Sequence, residues 1–193
     1  EVNIMEHTLF INACPREGSR TQELARHLLS KLEGTAEELA LFEENLLPLN
    51  GKTLALRDKM IAQGNFDHPI FKYARQFANA DTVVIAAPFW DLSFPSALKI
   101  WLEYVMALGV TFHYDEKGVP QGLCKAKRLF YVSTAGGSVL PSHLGFDYVN
   151  ALAKNYFSIE KTALFSAENL DVMGADTEAV LKQAREQIDA YWR

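Results

Sequence analysis

Cysteine is scarce in this chain. Cys14 and Cys124 are its only two, too few and too far apart for a disulfide framework, and they fit a reducing cytoplasm. Long hydrophobic runs are missing as well: the longest, Val83–Trp90, is far too short to span a bilayer, so no membrane association is expected. No charged segment followed by an apolar core opens the sequence, so no secretory signal is expected. Lysine and arginine nowhere cluster and the formal net charge is −5, which argues against a nucleic-acid surface. No group of His, Cys, Asp and Glu has metal-ligand spacing, so no metal site is expected. Gly-x-Gly-x-x-Gly is also absent, which makes a dinucleotide-type Rossmann loop a poor reading. A globular protein acting on a small molecule remains.

The positive signals agree with that class. With 193 residues, 49% hydrophobic and 22% charged, the chain suits one domain over 1–193 with a continuous core. Met5 directly precedes the first strand signal, and residues 1–6 are expected to be disordered or foreign to the natural chain. Thr8–Ala13, Thr82–Ala87 and Arg128–Ser133 are short apolar runs without strict alternation, the pattern of strands buried on both faces. Glu37–Phe42 and Ile159–Phe165 give weaker signals for two more strands. Helical periodicity lies between these runs. Leu24, Ala25, Leu28, Leu29 and Leu32 form one apolar face, and Ile100, Trp101, Tyr104, Val105 and Leu108 another, with Pro95 placed for a first-turn proline. Helices are also predicted near Ile70–Asn79, Ser142–Phe157 and Asp176–Trp192. The irregular stretch Glu43–Pro69 is predicted to hold a short helix near Leu54–Ala62, and its length suggests function. This alternation predicts an α/β fold with a doubly wound, five-stranded parallel sheet.

In such a sheet, ligands bind beyond the carboxyl ends of the strands, where strand order reverses. The loops after the first, third and fourth strands therefore matter most. The first runs from Cys14 to Gln22 and leads into a helix N-terminus, where free amides favour an anion. Ser19 and Thr21 add hydroxyls, and Arg16 or Arg20 adds charge. Ser19 with Gln22 also reads as an ordinary capping box, so this loop alone leaves phosphate binding open. The second loop, Pro88-Phe-Trp-Asp-Leu-Ser-Phe-Pro95, puts Phe89 and Trp90 at a strand end. There they could flank a planar ring or simply cap the core. The third, Ser133-Thr-Ala-Gly-Gly-Ser138, permits close backbone approach at Gly136 and Gly137, or an ordinary turn. At one sheet edge the three loops suggest a phosphate pocket beside a flat-ring pocket.

Ala86–Trp90, Pro95–Lys99, Gly109–Tyr114 and Ser133–Gly137 carry a more specific likeness. In order and spacing they resemble the flavodoxin-fold NAD(P)H:quinone oxidoreductase and azoreductase family, from about Thr8 to Glu168. The resemblance implies FMN as cofactor, NADH or NADPH as donor, and two-electron reduction of a quinone or azo acceptor. It also implies a homodimer with two active sites at the interface. Ser19, Arg20 and Thr21 would hold the phosphate, beside Cys14 and Arg16. Pro88, Phe89, Trp90, Asp91 and Leu92 would line the isoalloxazine, with Thr134, Ala135, Gly136 and Gly137 along its other edge. A single visible phosphate loop favours FMN over FAD. No catalytic side chain is implied, since the flavin carries the chemistry in a ping-pong cycle. His143 and Tyr114, with His113, are candidate acceptor contacts or proton donors, though a surface or packing role is the stronger reading for each.

This sequence departs from the family pattern at three points. Cys14 and Pro15 stand where serine is common, Asp91 where asparagine is common, and Ala135 where some relatives carry arginine. An anion at Asp91 would disfavour a negatively charged reduced ring. A rival reading uses the same first loop: Cys14, five residues, Arg20 and Thr21 match the loop of low-molecular-weight tyrosine phosphatases. Pro15 removes an amide that such a loop would use, and Glu17 sets a carboxylate near a dianion. A flavodoxin-like electron carrier is the third reading.

Overall fold

The computed structural model describes residues 5–139 and 143–193. The chain runs β1 (His7–Asn12), α1 (Arg20–Leu29), β2 (Thr35–Ala40) and α2 (Gly51–Ala62). A short 3-10 turn at Pro69–Phe71 then leads into α3 (Lys72–Asn79), β3 (Thr82–Ala86) and α4 (Ser96–Val105). The remainder is the hairpin β4 (Phe112–Tyr114) and β5 (Pro120–Gly122), then β6 (Arg128–Thr134), α5 (Leu144–Asn155), β7 (Lys161–Ala167) and α6 (Thr177–Tyr191). The central sheet has five strands, all parallel, as the sequence predicts, and their order is β2-β1-β3-β6-β7. Strand order reverses between β1 and β3, which pair from Thr8↔Thr82 to Asn12↔Ala86.

Successive residues of the inner strands face opposite layers, which is why their sequences read as continuous apolar runs. Leu9, Ile11, Val83, Ile85, Leu129 and Tyr131 pack with Phe77 of α3, Trp101 of α4 and Val149 of α5. Phe10, Val84, Phe130 and Val132 pack instead with Leu24 and Leu28 of α1 and Ile188 of α6. Each fully buried side chain of this size contributes roughly 1.5–3 kcal/mol. The edge strand β2 is exposed except near Leu39, and its weak sequence signal has that cause.

Several boundaries differ from expectation. Pro95 caps α4 from outside instead of lying in its first turn. The same helix stops at Val105 because the buried Thr111 hydroxyl donates to the Val105 carbonyl at 2.7 Å and accepts from the Ala107 amide at 3.2 Å. Leu108, expected on the helix's apolar face, therefore lies beyond it and is partly exposed. In the irregular stretch, α2 begins at a capping box in which Asn50 and Thr53 bond each other's backbone. Further on, the Phe66 ring covers Gly109, where an added Cβ would come within 2.6 Å of it. The predicted start of α5 at Ser142 lies outside the described residues. Of residues 1–6, the first four also lie outside them, whereas Glu6 accepts a hydrogen bond from the Thr35 amide and pairs with Arg128. Among the described residues, no helix is long and apolar enough to cross a membrane.

Candidate cofactor site

At the end of β1 the chain leaves the sheet through Asn12, whose side chain donates to Glu38 at 2.9 Å and accepts from the Cys14 amide at 3.0 Å. The turn that follows ends at Ser19, the N-cap of α1, whose hydroxyl accepts from the Gln22 amide at 3.4 Å. First-turn amides have no acceptor within their own helix, so those of Arg20 and Thr21 are available to an anion. The capping and anion-binding readings of Ser19 are thus compatible. Pro15 to Thr21 form one wall of a cavity of about 370 Å³, within the range of small-molecule sites.

Pro88, Phe89 and Trp90, at the end of β3, form a second wall. The Phe89 amide donates to the Thr134 carbonyl at 3.0 Å, which fixes this loop to the end of β6. Trp90 and Ser93 exchange backbone hydrogen bonds of 3.2 and 2.7 Å and close a two-residue turn. Its central residues, Asp91 and Leu92, take φ of 49° and 68°. The Arg16 guanidinium sits 6.0 Å from the Trp90 ring centre, joining the first loop to the second.

Thr134, Ala135 and Gly136 supply the third wall. Behind them, where the β6–β7 ladder ends, hydrogen bonds join the two following loops. The amides of Leu170, Asp171 and Asn169 donate to the carbonyls of Ala135, Gly136 and Gly137 at 3.2, 2.9 and 3.1 Å. This brings Leu170 and Asp171 into the cavity wall, a contribution that sequence reasoning missed. The available signal was positional: every loop at a strand's carboxyl end deserves inspection, the one after β7 included. Gly136 needs no Cβ for a reason other than the one expected. An added Cβ there would come 2.4 Å from Asp171 Oδ2, so the close approach is that of a carboxylate of this chain.

Arg16, Ser19, Arg20, Thr21, Pro88, Phe89, Trp90, Thr134, Ala135 and Gly136 are therefore brought together as the sequence predicts. Cys14, Asp91, Leu92 and Gly137 fall outside the lining. The half-buried Cys14 thiol lies 3.7 Å from the Ala86 carbonyl, and burial pushes its pKa up to about 11. A thiol so protonated and so placed does not support the phosphatase reading, in which a thiolate must face the phosphate. His143 is buried and lies behind Phe89, with ring centres 4.8 Å apart. Its Nδ1 accepts from the Phe146 amide at 3.0 Å and caps α5. Burial holds its pKa below the ordinary histidine value. Among the described residues, neither its Nε2 nor the buried Tyr131 hydroxyl has a hydrogen-bond partner. Tyr114 is half exposed and packs edge-on to Phe112 at 5.5 Å, away from the cavity lining, and His113 is exposed on the same strand.

The residues present fit a phosphorylated flat ring: helix amides and hydroxyls at one end, aromatics and backbone at the other. Comparisons with known proteins point the same way. The flavodoxin-like fold family matches residues 6–192. An FMN-dependent NADH:quinone oxidoreductase from Coprothermobacter proteolyticus is 33% identical over 200 residues, covering 96% of this chain and 97% of its own. A second, from Clostridium acetobutylicum, is also 33% identical, covering 95% and 96%. Among solved structures, an azoreductase from Bacillus anthracis superposes with a TM-score of 0.83 at 22% identity, covering 97% and 98%. An FMN-dependent NADH-azoreductase from the same species, solved in complex with FMN, gives 0.80 at 23%, covering 97% of each chain. At those identities the structural likeness establishes the fold, and the sequence relatives establish the group. The chain belongs to the flavodoxin-like fold family, among the FMN-dependent NADH:quinone oxidoreductases.

Proposed function

We propose that the whole chain works as a single FMN-binding domain that transfers reducing equivalents from NADH or NADPH to a quinone or azo acceptor in a ping-pong cycle. One observation carries the reading: three loops from β1, β3 and β6 converge on a single cavity with phosphate-binding features at one end and aromatic walls at the other. The names of the sequence relatives support FMN and NADH. Ser19, Thr21 and the first-turn amides of α1 would hold the phosphate, with Arg16 and Arg20 beside it. Phe89 and Trp90 would flank the ring, and the Thr134–Gly136 backbone would border its other edge. FMN, when bound, supplies the hydride chemistry, and the protein's contribution is orientation, exclusion of water and hydrogen-bond donors.

A homodimer in a reducing cytoplasm completes the proposal. The exposed apolar side chains Leu47, Leu54, Leu108, Leu144 and Tyr148 support self-association, as does the cleft of about 430 Å³ between α2, α4 and α5. The test is direct. Purified protein is expected to be yellow, to release FMN on denaturation and to oxidise NADH or NADPH only when a quinone or azo dye is present. Predominant release of FAD, or reconstituted protein without turnover, overturns the reading. Sedimentation at micromolar concentration tests the dimer, and a fully active monomer excludes shared sites.

A further inference from the structure

Arg20 stands at the first position of α1, where its charge would complement a phosphate. Its guanidinium is already engaged. One terminal nitrogen donates to Asp171 Oδ1 at 2.8 Å and the other to the Leu170 carbonyl at 3.3 Å. Asp171 is exposed, but its backbone is held in place. Its amide is tied to the Gly136 carbonyl, the preceding Leu170 is tied to Ala135, and its carboxylate fills the space where Gly136 lacks a side chain. Asn169 turns the chain into this position with a φ of 63°. The cavity is thus built with a fixed anion beside the arginine of its phosphate loop, lining the same wall.

A phosphate dianion entering that loop meets the Asp171 carboxylate along with the Arg20 guanidinium, and the like charge offsets the attraction. We propose that Asp171 is an affinity-setting residue for the cofactor: by engaging Arg20 it weakens the hold on the phosphate and keeps FMN exchangeable. The inference rests on the FMN reading and concerns the phosphate alone, since the oxidised flavin ring carries no charge that Asp171 would oppose.

The experiment compares FMN with riboflavin, which has the same ring and no phosphate, by fluorescence titration of apoprotein. Asp171→Asn keeps the size and most hydrogen bonding of the side chain. It is expected to tighten FMN by about fivefold, the effect that a half-exposed ion pair can exert, with riboflavin affinity unchanged. Arg20→Gln alone is expected to weaken FMN by a similar factor, because it leaves the Asp171 carboxylate unpaired beside the phosphate. In the Asp171→Asn background it should abolish the gain and return FMN affinity close to the wild-type value. Parallel shifts for FMN and riboflavin would make Asp171 a shaping residue and overturn the proposal, as would weaker FMN binding in Asp171→Asn. A gain in Asp171→Asn that survives Arg20→Gln overturns it too, since Arg20 then takes no part in holding the phosphate. Wild-type apoprotein that binds neither flavin refutes the cofactor reading itself, and this proposal with it.

Discussion

The Thr21 hydroxyl lies 2.6 Å from the Thr134 hydroxyl, joining the first turn of α1 to the end of β6 across 113 residues of sequence. Thr21 is buried and Thr134 partly so. One hydrogen bond thereby fixes the distance between the loop proposed to hold the phosphate and the loop proposed to border the ring. The relationship ties a packing contact to cofactor geometry, and it can be tested at that atom.

Thr21→Val removes the hydroxyl and keeps the shape. Losing a part-buried hydrogen bond of this kind is expected to cost about 1 kcal/mol, which for a chain of this length lowers the melting temperature by roughly 2–4 °C. FMN affinity is expected to fall by about tenfold, because a charge-assisted donor is lost as well. Thr21→Ser should restore both. Calorimetry and FMN titration measure the two effects, and unchanged FMN affinity in Thr21→Val would place the phosphate elsewhere.

Cys14→Ser should leave NAD(P)H:quinone turnover intact within about twofold, since the thiol lies outside the cavity lining and burial keeps it protonated, with a pKa near 11. For the same reason iodoacetamide should react slowly with the native protein at neutral pH. A nucleophile would behave otherwise: its replacement costs on the order of 10⁴ in rate. Aryl phosphatase activity in wild type that vanishes in the variant would reinstate the phosphatase reading.

Much of this architecture was legible because the inner strands are buried on both faces. Leu9–Ala13, Val83–Ala87 and Leu129–Ser133 have almost no exposed surface, so their composition alone marks them. Edge strands carry less of that signal. In β2 only Leu39 is buried, and Thr35 and Ala36 are exposed, so apolar patterning does not report their pairing with β1. The hairpin β4–β5 was invisible for a similar reason: its strands are three residues each and mostly exposed. At the site, three walls were readable: Ser19, Thr21, Phe89 and Trp90 are chemically distinctive types in their local context, and Gly136 with Gly137 marks the third loop. Asp171 was not, because its placement arises from the loop hydrogen bonds that set it against Gly136, and one more surface aspartate carries no mark of that.

His143 predicts an acid-side loss of stability. Its Nδ1 must be unprotonated to accept from Phe146, and burial depresses its pKa below the ordinary 6.5. The folded state therefore binds this proton less readily than the unfolded chain. The contribution is fully present above pH 6.5, declines as pH falls below it, and is gone once the depressed folded value is passed. His143→Asn keeps a capping acceptor and removes the titration. Denaturant unfolding of both proteins across this range should give curves that converge on the acid side. A constant difference at every pH would show that His143 titrates alike in the folded and unfolded states.

The turn at Asp91–Leu92 sets stability against function. Both residues adopt positive φ, 49° and 68°, in a two-residue connection whose geometry favours Asn-Gly. Leucine at such a backbone angle costs about 1 kcal/mol or more through its Cβ, and glycine removes that clash while adding freedom to the unfolded chain. Leu92 is 56% exposed, so its side chain contributes little packing in return. Leu92→Gly is accordingly expected to raise the melting temperature by about 1–3 °C. A strained and exposed leucine next to Trp90 of the cavity wall points to a use outside the fold's own packing, and strain of this kind gathers where ligands are held. The same variant should therefore raise KM for the quinone severalfold, with FMN affinity unchanged, since Leu92 itself is not in the cavity lining. Steady-state kinetics with varied quinone, run beside thermal unfolding, separates the two effects. A gain in stability with unaltered KM would assign the turn to folding history alone, and a fall in melting temperature would mean that Leu92 packs against a surface that the single chain does not contain.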